Sequence, residues 1–96
     1  MEASQRKAFY QHLAAVYNLP TKVISSVLRE QLFVMAQKLD RTDNQYLLAD
    51  RLGRYVNAEL TALTCRAPKE LVHLARYIQG LQNDYRRLSL IPGRIE

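Results

Sequence analysis

Ninety-six residues, 48% apolar and 24% charged, make one folded domain, since a second core needs about a hundred more residues and a disordered tail carries fewer apolar groups. Fourteen Lys and Arg against nine Asp and Glu leave a net charge of +5, and ten of the cations are arginine, which makes planar, bidentate contacts to phosphates and carboxylates. The single cysteine, Cys65, rules out an internal disulfide, no apolar run approaches the ~20 residues that cross a bilayer, and no charged-apolar-small leader opens the chain. A soluble protein of a reducing cytoplasm, with no membrane partner, is the expectation.

The prolines, at positions 20, 68 and 92, fall between apolar-periodic runs and not inside them. No stretch alternates apolar and polar residues long enough to demand a strand, and every long segment carries i, i+3, i+4 spacing. The pattern predicts an all-α bundle of about four helices with short linkers and an extended C-terminal tail, over 2–17, 21–39, 43–64, 68–90 and 91–96.

The first helix places Phe9, Leu13 and Val16 on one face, away from Arg6, Lys7 and Gln11, and Asn18-Leu19-Pro20 interrupts it. In the second, Ile24, Leu28, Leu32, Met35 and Leu39 are in register, and Val23, Val27 and Val34 widen the apolar arc as a helix touching two neighbours requires. Phe33 falls outside that arc, among Lys22, Ser26, Arg29 and Gln37, as a chance exposed ring, one covered by the N-terminus, or a partner contact.

Asp40 to Asn44 reads as a polar turn, with Thr42 and Gln45 in capping-box spacing before the third helix. That helix is expected to bury Ala49, Leu52, Val56, Leu60 and Leu63 and to turn Leu47, Arg51 and Arg54 outward. Gly53 marks a close helix crossing, and Glu59 is a boundary carboxylate reaching solvent or a neighbouring Arg or Tyr. Leu71, Leu74, Ile78, Leu81, Tyr85 and Leu88 step by three and four along the fourth helix, a seam for packing within the bundle or between two copies. Its opposite side carries Lys69, His73, Arg76, Asn83 and Arg87, a solvated basic face or a contact for acidic protein or phosphate. Pro68 suits the first position of that helix; alternatively, Ala67-Pro68 is an exposed linker whose peptide bond another protein isomerises. The tail from Ile91 to Glu96 is expected to dock as an extended arm.

Nothing in the chain recommends catalysis. His12 and His73 lie in separate helices, the glycines at 53, 80 and 93 form no phosphate loop, and no CxxC, HExxH or Asp-rich calcium loop occurs, so no cofactor or metal is expected. Nucleic acid is a secondary partner, because the cations are spread over all four helices and the six tyrosines suit packing better than base stacking.

In its length, its basic helical character and the junction Thr64-Cys65-Arg66-Ala67-Pro68-Lys69-Glu70, the chain resembles the small lambdoid-phage anti-RecBCD proteins. The resemblance implies a non-enzymatic protein that binds the RecC subunit of the host RecBCD nuclease and redirects DNA-end processing to phage recombination. It also implies that a host prolyl isomerase acting at Pro68 would fit the exposed-linker reading. Asn44 to Leu52 also resembles a segment of the flagellar master-regulator family, but the spacing departs from that pattern and the rest does not follow. The partner-binding residues expected of an adaptor are Phe33, Leu47, Arg51 and Arg54 together with Pro68, Lys69, His73, Arg76 and Arg87. The alternative is a small basic helical DNA-binding transcriptional regulator, dimeric through the fourth-helix seam.

Overall fold

A computed structural model describes residues 3–42 and 44–90, with side chains over 4–42 and 44–87. Four helices, α1 (Ala3–Tyr17), α2 (Ser26–Leu39), α3 (Gln45–Leu63) and α4 (Lys69–Leu90), are joined by short connections, the last containing a single 3-10 turn over Thr64–Arg66. No strand occurs among the described residues. Each helix packs on two others, in the cyclic order α1, α2, α3, α4 and back to α1. Contacts between helix ends make each neighbouring pair antiparallel: Arg6 reaches the carbonyl of Thr42, Ser25 meets Glu59, the Tyr46 and Tyr85 rings lie 5.4 Å apart, and the Tyr77 hydroxyl donates to the Gln5 carbonyl at 3.5 Å. The fold is an up-down-up-down bundle.

The core takes one apolar stripe from each helix. Phe9, Leu13 and Val16 of α1, Leu28, Leu32, Met35 and Leu39 of α2, Leu48, Ala49, Leu52 and Val56 of α3, and Leu71, Leu74, Ile78 and Leu81 of α4 are buried, and Ile24 joins them from the α1–α2 connection. Phe9 meets the Tyr77 ring edge-on, with centroids 5.4 Å apart. Leu71, Leu74, Ile78 and Leu81 of the α4 seam are therefore spent inside the bundle. Leu60 and Leu63 are only half-buried against the core, and Tyr85 is 55% exposed. Tyr85 follows Leu81, the last buried residue of α4 among those described, and lies beside Tyr46 at the start of α3. The Leu88 side chain and the tail 91–96, expected as seam and arm, lie outside the described residues, as do Glu2 and Asp43, the expected first residues of α1 and α3.

The α2 boundary differs most from expectation. The helix begins at Ser26, five residues later than the apolar register suggests, because Val23 N–H turns back to the Pro20 carbonyl and Ser25 adopts an extended N-cap conformation. Ser25 Oγ accepts from Leu28 N–H at 3.2 Å. The Glu59 carboxylate accepts from Ser25 N–H at 2.8 Å and from its hydroxyl at 2.7 Å. In a capping box the residue three positions on reaches back to the N-cap amide; here a carboxylate from α3 does so. Glu59 thus bonds a serine, not an Arg or Tyr.

A second cap replaces the expected Thr42–Gln45 pair. Asn44 Oδ1 accepts from the amides of Tyr46 and Leu47 at 3.1 and 3.2 Å, and Thr42 Oγ1 accepts from Asn44 N–H at 3.1 Å. Asparagine is at least as good an N-cap as threonine, so the cap falls two residues later. Gln45, now the first helical residue, turns inward and is buried.

Gly53 lies where α3 meets α4 closely: a Cβ there would stand 3.2 Å from Gln82 Nε2 and 3.4 Å from Ile78 Cγ2. A Cβ on Gly80, by contrast, would meet nothing within 4 Å. Gly80→Ala should therefore raise unfolding stability by about 0.5–1 kcal/mol, the helix-propensity difference. Gly53→Val should lower it by about 1–3 kcal/mol through overpacking. Urea denaturation of both variants checks the pair, and a stabilised Gly53→Val would contradict the close crossing.

Candidate interaction surfaces

Four helices packed in a ring leave grooves between neighbours, and the exposed apolar side chains line three of them. Between α1 and α2, a groove of about 420 Å³ carries Tyr10, Tyr17 and Phe33. Between α2 and α3, a groove of about 720 Å³ has Val27, Leu28, Met35 and Tyr55 beside Lys38, Arg51 and Arg54. Between the start of α3 and the end of α4, about 580 Å³ is bordered by Tyr46, Leu47, Tyr85 and Arg86.

The residues expected to bind a partner are thereby divided. Leu47, Arg51 and Arg54 follow one another at i, i+4 and i+7 along the outward ridge of α3, all exposed. Arg54 pairs with Asp50 across one turn at 3.9 Å, with both side chains largely in solvent, so the pair contributes little and leaves the guanidinium accessible. Phe33 is 53% exposed and lies on the α1 flank of α2, with its ring 6.3 Å from that of Tyr17. Among the described residues, Tyr10 and Tyr17 of α1 lie beside it. Lys69, His73 and Arg76 are exposed along α4, while Arg87 donates to Asp84 at 2.6 Å and so has its charge locally offset. Phe33 and the α4 row are carried by helices that stand diagonally across the ring, with α1 and α3 between them.

Pro68 is half-buried, and its carbonyl accepts from the amides of Leu71 and Val72 at 3.1 and 3.2 Å. It therefore occupies the cap position, one place before the first helical residue. All described peptide bonds, Ala67–Pro68 included, are trans. Four residues earlier, Thr64 has φ 53°, a left-handed conformation that a β-branched residue rarely adopts, and Thr64, Cys65 and Arg66 are exposed.

Two side chains of α2 depart from what the sequence suggested. Arg29 donates to the Tyr17 carbonyl and, at 2.8 Å, to that of Leu19, with its guanidinium 5.4 Å from the Tyr17 ring centroid. It closes the C-terminal end of α1, whose last carbonyls have no partner within the helix. Val27, placed by its register on the apolar arc, is 58% exposed at the α2–α3 groove, because that arc is centred on Leu28, Leu32, Met35 and Leu39. A helical wheel centred on those four residues would have shown Val27 near the rim.

Where α1 meets α4, the His12 ring lies 4.6 Å from that of Tyr77. Burial, and secondarily the charge of His73, hold the His12 imidazole below its ordinary value of 6.5, and burial raises the Tyr77 hydroxyl above its ordinary value of 10.0. Among the described residues no group of three or more His, Cys, Asp or Glu side chains could hold a metal ion, and no helix is long and apolar enough to cross a membrane.

The unfolded chain protonates His12 near pH 6.5 and the folded chain only below that, so this contribution to stability is complete above pH 6.5 and declines as the pH falls through the window beneath it. Thermal melts should show a lower Tm at about pH 5.5 than at about pH 7.5, and His12→Gln should narrow the difference. An undiminished difference in that variant would locate the effect elsewhere. Ser25→Ala should cost about 0.5–2 kcal/mol by removing the α2 cap, with a similar loss in Glu59→Ala and little further loss in the double variant, a coupling read by denaturant titration. No family model, curated protein or solved structure matches the chain.

Proposed function

We propose that the chain is a non-catalytic phage-type adaptor of the host bacterial cytoplasm, which binds RecBCD through its RecC subunit and redirects the processing of DNA ends toward phage recombination. The identity of the partner comes from the family resemblance. The binding role is supported chiefly by one observation: the bundle completes its core and still leaves Val27, Phe33, Leu47 and Tyr55 exposed, three of them beside arginine on the α2–α3 and α3–α4 faces. Folding leaves these side chains unburied, and apolar anchors ringed by arginine are the composition of protein-binding surfaces.

The α3 ridge is the favoured docking face, because Leu47, Arg51 and Arg54 form one continuous row. A host prolyl isomerase at Pro68 belongs to the same reading, supported by the exposed stretch at Thr64–Arg66 just before Ala67–Pro68. A DNA-binding regulator remains the competing reading through the exposed row Lys69, His73 and Arg76, with Leu71, Leu74, Ile78 and Leu81 of the expected dimer seam spent in the core.

Size-exclusion chromatography of the chain with purified RecBCD at about 0.5 M salt, where exposed phosphate contacts are strongly screened, separates the two. Co-elution, with slower degradation of linear DNA by the complex, is the expected result. Leu47→Ala combined with Arg51→Ala should weaken the complex at least tenfold, whereas Phe33→Ala should do so only if the α1 flank of α2 also docks. A chain that fails to co-elute, yet binds DNA with affinity falling steeply in salt, would replace the adaptor with the regulator.

A further inference from the structure

The α2–α3 groove is chemically asymmetric along its length. Because the helices are antiparallel, Lys38 near the end of α2 lies at the Arg51 end of the groove, while Val27 near the start of α2 lies at the Ala58 end. Lys38, Arg51 and Arg54 therefore run from one end to the middle of the groove, and the exposed apolar surface, Val27, Tyr55 and Ala58, gathers at the other, while Met35 is buried beneath the cationic part. Glu59 is the one acid among the lining residues, and both of its oxygens are engaged by Ser25. Val27 and Lys38 are eleven positions apart, so the groove is about 16 Å long at 1.5 Å per residue, the length of three helical turns.

We infer that this groove receives a helical segment of a partner protein, amphipathic over about three turns, whose apolar side chains cover Val27 and Tyr55 toward one end and whose carboxylates toward the other meet Lys38, Arg51 and Arg54. The charge distribution selects this occupant. A nucleic acid backbone is anionic along its whole length and offers no apolar face to cover Val27, whereas an amphipathic helix with acids confined to one end matches both halves. The ion pairs fix the direction of the helix and reject basic segments, and the apolar contacts supply most of the affinity. The inference depends on the adaptor reading only for which protein supplies the helix.

Two synthetic, hydrocarbon-stapled helical peptides of about fourteen residues test it, both with leucine at i, i+4, i+7 and i+11, one carrying three glutamates in its terminal turn and the other three lysines. By fluorescence anisotropy the acidic peptide should bind at least tenfold more tightly than the basic one. Arg51→Glu with Arg54→Glu should invert the preference, a gain of binding that an unfolded variant could not show. Val27→Asp should weaken the acidic peptide at least tenfold, and Gly80→Ala, on α4 and away from this groove, should leave it unchanged. Equal binding of the two peptides, binding of neither, or a preference surviving the double reversal would each overturn the proposal. A chain that takes the acidic peptide but not RecBCD retains the groove and loses the adaptor reading; one that takes RecBCD but neither peptide does the reverse.

Discussion

A chain this short buries only roughly 60–65% of its unfolded surface, so every helix has to give its single apolar stripe to one shared core. Sixteen apolar side chains meet that demand, and they come from all four helices and the α1–α2 connection. The close approach at Gly53 brings α3 against Ile78 and Gln82, which turns the α4 seam inward and completes the ring. What lies off the stripes becomes surface by geometry. Val27 and Phe33, six positions apart on α2, emerge on opposite flanks of the helix and so belong to different grooves.

The helix ends are held by side chains borrowed from neighbours. Arg29 of α2 satisfies carbonyls at the end of α1, and Glu59 of α3 satisfies the N-cap of α2. Both fasten the same end of the bundle, where the α1–α2 connection is the longest. Buried or half-buried polar groups need such partners, since an unpaired one forfeits about 1–3 kcal/mol of solvation. Gln45 is an exception, with its Oε1 buried and no hydrogen-bond partner among the described residues. The engagement of Glu59 also shapes the α2–α3 groove. With its carboxylate occupied, the groove keeps a cationic end and an apolar end with no free acid between them.

Surface chemistry on such a scaffold is necessarily distributed. The α3 ridge, the α1 flank of α2 and the α4 row each face a different direction, so a partner selects one face or wraps around the bundle. Arginine-rich and apolar elements coincide on the α2–α3 side, and the two proposals meet there: Arg51 and Arg54 belong both to the ridge and to the groove wall.

The sequence by itself determined the helix count, Pro20 and Pro68 as boundaries and nearly all of the core, because one-sided burial imposes a 3.6-residue period that no distant contact can alter. It also placed Leu47, Arg51 and Arg54 on the outward face of α3 and marked Gly53 as a crossing point. Tertiary structure decided what depends on residues far apart in the chain. The start of α2 moved to Ser26 because Glu59, 34 positions beyond Ser25, rewards an extended serine. Arg29 became a cap because the end of α1 lies within its reach, and Tyr85 left the core to lie beside Tyr46 at the start of α3. The candidate site divided for the same reason: a helical wheel shows which residues share a face, but only the order of helices around the ring decides which faces look the same way.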